Sequence, residues 1–248
     1  MSNGRLRDKT AIVTGGGSGI GEGVARALAA EGCQVIITGR SEAKLRASAE
    51  GFQADGAPPI RYRALDVADR QAVGQFINWA TEELGHVDIL VNSAGTNIIK
   101  RSMAELDPAD WDKLLAVNAT GAYNCMHAVL PQMRERRDGL IVNISSVAGV
   151  RASMLGGVAY TASKFALTSL SHCVALEEKD HGIRVTNVHP GEVETPILDA
   201  RPVPVSAEHR ARILQPEDIA SLVLAIACLP PRAHVSDILI KPTTQAFA

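Results

Sequence analysis

The chain has 248 residues, with 25 Lys and Arg against 27 Asp and Glu, and its net charge of −2 gives no electrostatic reason to expect nucleic acid or an anionic membrane as the main partner. Hydrophobic residues at 46% and charged residues at 21% fit a globular chain and exclude disorder, while 4% aromatics leave little for base stacking. Glycine (21) and proline (12) stand at ordinary usage, which removes collagen-like and low-complexity readings.

In chain order, short Val- and Ile-rich runs alternate with longer amphipathic stretches. The start carries charge and no apolar core of the signal-peptide kind. Ile219–Leu229, the longest apolar run, falls short of the roughly 20 residues of a membrane span, so a cytoplasmic location is expected. Strands are predicted at Thr10–Thr14, Gln34–Thr38, Ile60–Leu65, Val87–Asn92, Leu140–Ser145, Arg184–Val188 and Asp237–Ile240. Helices are predicted at Ile20–Ala30, Glu42–Ala54, Arg70–Leu84, Pro108–Arg136, Tyr160–Lys179 and Pro216–Cys228. Asp69 and Asp107 suit N-caps, and Pro108 and Pro216 suit first turns. Gly32, Gly56, Gly85, Gly139 and Gly182 are placed at helix ends, where a left-handed residue is often needed. This alternation calls for right-handed crossovers. The predicted fold is α/β: one Rossmann-type doubly wound parallel sheet of about seven strands over residues 1–248, with helices on both faces. Cys33, Cys125, Cys173 and Cys228 form no C-x-x-C pair and read as buried free thiols rather than disulfides or ligands. No histidine has metal-ligand spacing to another His or Cys, so no metal is expected.

The first strand runs straight into Thr14-Gly15-Gly16-Gly17-Ser18-Gly19-Ile20-Gly21 and then a helix. Glycines permit a tight turn and close approach of backbone amides to a pyrophosphate, and the helix dipole favours that charge. Strand, turn and helix in the first βα unit make this a dinucleotide site. The second strand ends in Thr38-Gly39-Arg40, where an acid would select the free ribose 2′-OH of NAD. Arg40 suits the 2′-phosphate of NADP by charge and fork geometry; the competing reading is a solvated residue before a helix. NADP is therefore the expected cofactor, with NAD the alternative. Asp66 closes the third strand, placed either to bond the adenine or simply to form a turn.

Tyr160 and Lys164 stand at i and i+4 and share a helix face, and Ser146 ends the fifth strand at the cofactor edge. A phenol titrates near 10, so proton transfer at neutrality needs roughly 4 kcal/mol of preferential phenolate stabilisation. A nearby ammonium and an oxidised nicotinamide can supply it in a partly dry site. Asn118 and Gly121 are poor helix formers inside a long predicted helix, as befits a site rather than a scaffold.

With these residues in place, the chain resembles the short-chain dehydrogenase/reductase family over essentially its whole length. The glycine turn, Asp66, Asn92-Ser93-Ala94-Gly95, Asn118, Ser146, Tyr160, Lys164 and Pro190-Gly191 carry the resemblance. It implies Tyr160 as general acid/base, Ser146 orienting the reacting oxygen, Lys164 on the nicotinamide ribose, and Asn118 supporting a proton-relay water. The cofactor set it implies is Gly15, Gly17, Ser18, Gly19, Ile20, Gly21, Arg40, Asp66, Val67, Asn92, Ala94, Gly95, Tyr160, Lys164, Pro190, Gly191, Val193 and Thr195. Two departures stand out. The family's Asn-Asn-Ala-Gly is Asn-Ser-Ala-Gly here, with Asn92 keeping the first position. The last strand, Asp237–Thr243, lacks the Asp-Gly-Gly-like turn of ketoacyl-carrier-protein reductases and is similar to the hydroxy-acid and serine dehydrogenase branch.

Substrate contacts are expected from Ser153–Val158, Ile98, Ile99 and Thr195–Leu214, unless these are packing or subunit-contact residues. Arg151 either meets a substrate carboxylate or is solvated, and His189 and Glu192 flank the Pro-Gly turn. Trp79 and Trp111 read as helix packing. The helices Pro108–Arg136 and Tyr160–Lys179 are apolar around much of their circumference, which predicts a homodimer or homotetramer. The expected function is interconversion of a small carbonyl compound and an alcohol with NADP(H), ketoacyl-carrier-protein reduction being one alternative. A non-catalytic cofactor-binding scaffold is the alternative of another class, and the complete Asn118, Ser146, Tyr160 and Lys164 set argues against it.

Overall fold

The structure is a computed structural model that describes residues 4–245. Its strands are β1 (Thr10–Thr14), β2 (Gln34–Gly39), β3 (Arg61–Ala64), β4 (Ile89–Asn92), β5 (Gly139–Ile144), β6 (Ile183–Pro190) and β7 (Asp237–Ile240). All pair in parallel in the order β3-β2-β1-β4-β5-β6-β7. The order reverses between β1 and β4, which opens a crevice beyond their carboxyl ends. The helices are α1 (Gly19–Ala30), α2 (Glu42–Glu50), α3 (Arg70–Leu84), α4 (Pro108–Leu115), α5 (Gly121–Arg136), α6 (Val158–Glu178), α7 (Ala207–Arg210) and α8 (Pro216–Ala227).

Alternate side chains of each strand enter different layers. Val13, Ile37, Val91 and Val142 pack on Val24, Leu28, Leu45 and Ile219 of α1, α2 and α8. Ile12, Ile36, Leu90 and Ile141 pack on Val73, Met126, Met133 and Leu167 of α3, α5 and α6. Each fully buried Leu or Ile contributes about 1.5–3 kcal/mol, so both layers clamp the sheet and hold the crevice at its edge rigid. Asp69 and Asp107 cap α3 and α4 by accepting from Ala72 N at 3.0 Å and Ala109 N at 2.8 Å.

Four details depart from the expected pattern. The stretch 108–136 is not one helix: a π-turn over Ala116–Thr120 separates α4 from α5 and turns Asn118 inward, where it is buried. The second helix stops at Glu50 rather than Ala54, with Gly51 as C-cap, so Gly56 serves a later turn instead. The left-handed residue closing α5 is Arg137 (φ 54°); Gly139 is already in β5, where a Cβ would lie 2.5 Å from the Met133 sulfur. Of the four cysteines only Cys33 and Cys125 are buried, their thiols pushed up to about 12 by burial, whereas Cys173 is exposed and Cys228 half-buried. No described helix is long and apolar enough to cross a membrane.

Candidate active site

Thr14 closes β1, and its hydroxyl accepts from the Ser93 and Ala94 amides at 3.1 Å each, tying the ends of β1 and β4 together where the strand order reverses. The glycine turn that follows has no room for side chains. A Cβ on Gly15 would lie 2.9 Å from the Ala94 backbone, and one on Gly21 would strike the Gly15 carbonyl. Ser18 precedes α1 in extended conformation and its hydroxyl makes no capping bond. The first amides of a helix have no partner within it and favour negative charge.

A cavity of about 510 Å³ runs along this edge of the sheet, within the range of small-ligand sites. Because β2 and β5 lie on opposite sides of the β1–β4 pair, it has two chemically different ends. On the β2 side stand Arg40 and Lys44; on the β5 side stand Ser146, Tyr160 and Lys164. Its charged lining is Arg40, Lys44, Arg101, Lys164 and Arg201 against Glu192, five cations to one anion in a chain of net charge −2. That lining suits a polyanionic ligand such as a dinucleotide, and the glycine turn and Ser18 supply its cradle. Among the described residues there is no cluster of three His, Cys, Asp or Glu side chains able to hold a metal.

Ser146 follows β5, and its Oγ accepts from the Ala148 amide at 3.1 Å. Beneath it, buried His189 bridges the Ser146 carbonyl (Nδ1, 3.2 Å) and Asp237 (Nε2, 3.0 Å), pinning the strand end that presents the hydroxyl. Tyr160 and Lys164 lie one turn apart on α6. Burial drives the Tyr160 phenol above its ordinary value; the Ser146 hydroxyl beside it, and then the Arg101 charge, oppose that shift. Lys164 Nζ donates to the Ile144 carbonyl at 2.8 Å and sits 5.7 Å from the centre of the Tyr160 ring. Burial lowers its pKa to about 8. Asn118 Oδ1 accepts from Thr96 N at 2.8 Å, while its Nδ2 donates to Thr96 O and Ser163 Oγ at 3.0 Å each. The π-turn thereby fastens the segment after β4 to the helix bearing Tyr160.

Of the sequence-predicted residues, Gly15, Ser18, Gly19, Ile20, Arg40, Gly95, Ser146, Tyr160, Lys164, Pro190, Gly191, Val193 and Thr195 line this cavity. The others stand behind it. Gly17 packs on Lys44 and Leu45, Val67 on Gly121, and Ala94 on Gly15. Asn92 donates to Asn143 Oδ1 at 2.8 Å. Asp66 accepts from the Ala68 amide at 3.0 Å in a turn, and with Arg40 it lines a neighbouring hollow of about 410 Å³. Ser153, Leu155, Gly156, Ile197, Leu198 and Arg201 line the main cavity as expected of substrate segments, but Ile98, Ile99, Met154, Pro202 and Pro204 do not. Arg151 is exposed and outside the lining. Sequence reasoning missed Lys44 and Arg101, whereas His189, noted beside the Pro-Gly turn, stands behind the cavity on the Ser146 carbonyl and Asp237. Only Lys44 left a signal, as a second cation four residues past Arg40 in the same βα unit.

The short chain dehydrogenase family model matches residues 9–203. An uncharacterized oxidoreductase of Staphylococcus saprophyticus is 33% identical over 238 residues, covering 96% of this chain and 98% of its own. A metagenomic short-chain oxidoreductase solved in complex with NADP is 33% identical, with TM-score 0.83 over 97% of this chain and 100% of its own. The closed form of a serine dehydrogenase complexed with NADP+ is 28% identical, with TM-score 0.87 over 96% and 97%. The matched span holds the glycine turn, Ser146, Tyr160 and Lys164 in one crevice with Asn118 behind it, and the chain belongs to the short chain dehydrogenase family of oxidoreductases acting on CH–OH groups.

Proposed function

We propose that the protein interconverts a small ketone or aldehyde and the corresponding alcohol with NADP(H), using Tyr160 as proton donor and acceptor. The observation that carries this reading is that Ser146, Tyr160 and Lys164 line the same cavity as the glycine turn. The nicotinamide, when bound, supplies or takes up the hydride. Tyr160 gives its Oη proton to the carbonyl oxygen in reduction, and burial keeps that proton on the phenol at neutral pH, ready for transfer. In oxidation it must accept a proton as phenolate, which the Ser146 hydroxyl and the surrounding cations favour. Ser146 holds the reacting oxygen beside Tyr160, and the Asn118 and His189 bonds keep both hydroxyl bearers in register. Arg40 and Lys44 would hold the 2′-phosphate of NADP, two cations at the β2 end with no acid between them in the lining.

Tyr160→Phe tests this directly. It should bind NADPH normally, by the fluorescence change on titration, and lose about 10²–10⁴-fold in turnover. Retained activity would overturn the assignment. We also propose that α5 and α6 meet a second copy of the chain in a homodimer or homotetramer, since Tyr123, Phe165 and Leu176 stand partly or largely exposed on them. A monomer by light scattering at micromolar concentration would sink that.

A further inference from the structure

The β5 end of the cavity contains a charge for which the carbonyl–alcohol reading supplies no partner. Arg101 lies between β4 and α4 and is only 8% exposed. Its carbonyl accepts from the Val158 amide at 3.1 Å, at the first residue of α6. Its Nη1 donates to the Leu155 carbonyl at 2.6 Å and its Nη2 to the Ala200 carbonyl. The neighbouring Gly157 adopts φ 82°, and a Cβ there would lie 2.5 Å from the Arg101 Cβ, so the backbone is shaped to admit this side chain. Arg101 lines the cavity alongside Leu155, Gly156 and Tyr160.

What is missing around it is an anion. Among the described residues no carboxylate pairs with Arg101, and its buried Nε has no acceptor. A buried charge without a counter-charge is costly, and two loop carbonyls could be held as well by a neutral amide. The lone anion of the lining, Glu192, is already paired with Arg201 at 2.9 Å, so it offers Arg101 no relief. A guanidinium has five N–H donors in a planar fork, and two of them are engaged here. Nε with the remaining terminal hydrogens matches the two oxygens of a carboxylate. Arg40 and Lys44 lie on the far side of the switch point, so the phosphates held there do not neutralise this end.

We infer that the substrate carries a carboxylate, bound by Arg101 while Ser146 and Tyr160 engage its carbonyl or hydroxyl. The enzyme is thus an oxo-acid/hydroxy-acid oxidoreductase. This inference rests on the carbonyl–alcohol reading above and narrows it.

Its test compares each acid with its uncharged twin. With saturating NADPH, kcat/KM is measured for 2-oxobutyrate, acetoacetate and levulinate and for their methyl esters, which keep the carbon skeleton and remove the charge. At least one acid should exceed its ester about tenfold or more, and Arg101→Gln should lower kcat/KM for that acid about 10²-fold, mostly through KM, with about threefold or less lost on the ester. Arg101→Lys, which keeps the charge and loses the fork, should recover part of the acid preference and guards against a folding defect in Arg101→Gln. Equal use of acids and esters, or an equal loss on both in Arg101→Gln, would overturn the inference. A calorimetric titration of the NADP+-saturated protein with the oxo acids, where no hydride is available, separates it from the parent reading. Acid binding that Arg101→Gln weakens at least tenfold supports the carboxylate site even if no compound turns over. Turnover of neutral ketones together with acid binding unchanged by Arg101→Gln removes the inference and leaves the parent reading standing.

Discussion

The two ends of the cavity are built in opposite ways. At the β1–β2 side the chain presents mostly backbone: a turn closed by Gly15 and Gly21, amides at the start of α1, and two exposed cations, Arg40 and Lys44. At the β5–β6 side it presents side chains gathered from three separate segments, with Arg101, Leu155 and Ala200 linked by hydrogen bonds from one guanidinium. A backbone cradle reads shape and phosphate, which differ little between dinucleotides, whereas a side-chain wall reads the individual substrate. The same division separates what kind of redox partner the enzyme takes from which compound it acts on.

The largest test of this contrast is Lys164, buried at the β5 end beside Tyr160. Its pKa of about 8 lies below the ordinary 10.5 because burial disfavours the charge. The sign follows: between about pH 8 and 10.5 the unfolded chain holds this proton and the folded one does not, so stability rises with pH across that window. Lys164→Met, which removes the buried charge, should therefore raise Tm by a few degrees at pH 7 and flatten this pH dependence. It should also lower turnover by about 10²–10⁴-fold, and in the parent enzyme reduction should fall as pH rises through about 8 while Lys164 loses its charge. Calorimetric melting and a pH–rate profile check both halves. A destabilised Lys164→Met would mean that the Ile144 carbonyl bond outweighs the burial of the charge.

A smaller effect is expected at the phosphate end. Arg40→Ala with Lys44→Ala should weaken NADPH about 10–10²-fold and leave NADH within about threefold, since only the 2′-phosphate is lost as a partner. Steady-state kinetics with the two cofactors decide this. Equal losses on both would show that the pair shapes the turn rather than reading the phosphate.

Legibility in the sequence follows the same division. The glycine turn announces itself because close backbone approach demands one residue type at fixed spacing, and the Tyr160–Lys164 pair because helical periodicity places both on one face. Arg137 in a left-handed conformation was hidden by a glycine two residues on, which tight packing against Met133 requires. The π-turn at Asn118 looked like ordinary helix with poor formers in it, because an extra residue per turn has no periodicity signal of its own. At the substrate end the sequence offered Arg151, a loop arginine near Tyr160 in the chain, while the fold uses Arg101, about 60 residues from Tyr160 in the chain. Nothing local distinguishes the two. Burial does, and burial is a property of the assembled loops.

The smallest expected effect asks whether the substrate end works by charge or by closure. Glu192, the lone anion in the lining, accepts from Arg201 at 2.9 Å and from His209 at 2.8 Å, so it both neutralises Arg201 and ties down the segment between β6 and α8. Glu192→Gln keeps an acceptor of the same shape and removes only the charge. If charge governs, Arg201 is released to add to the field of Arg101, and KM for an oxo acid should fall about two- to fivefold, as for the loss of one partly screened ion pair. Its methyl ester and NADPH should be unaffected, and the gain should fade as salt rises towards 1 M. A rise in KM for acid and ester alike would instead identify Glu192 as the latch of that segment, making the β5–β6 end a matter of closure first and electrostatics second.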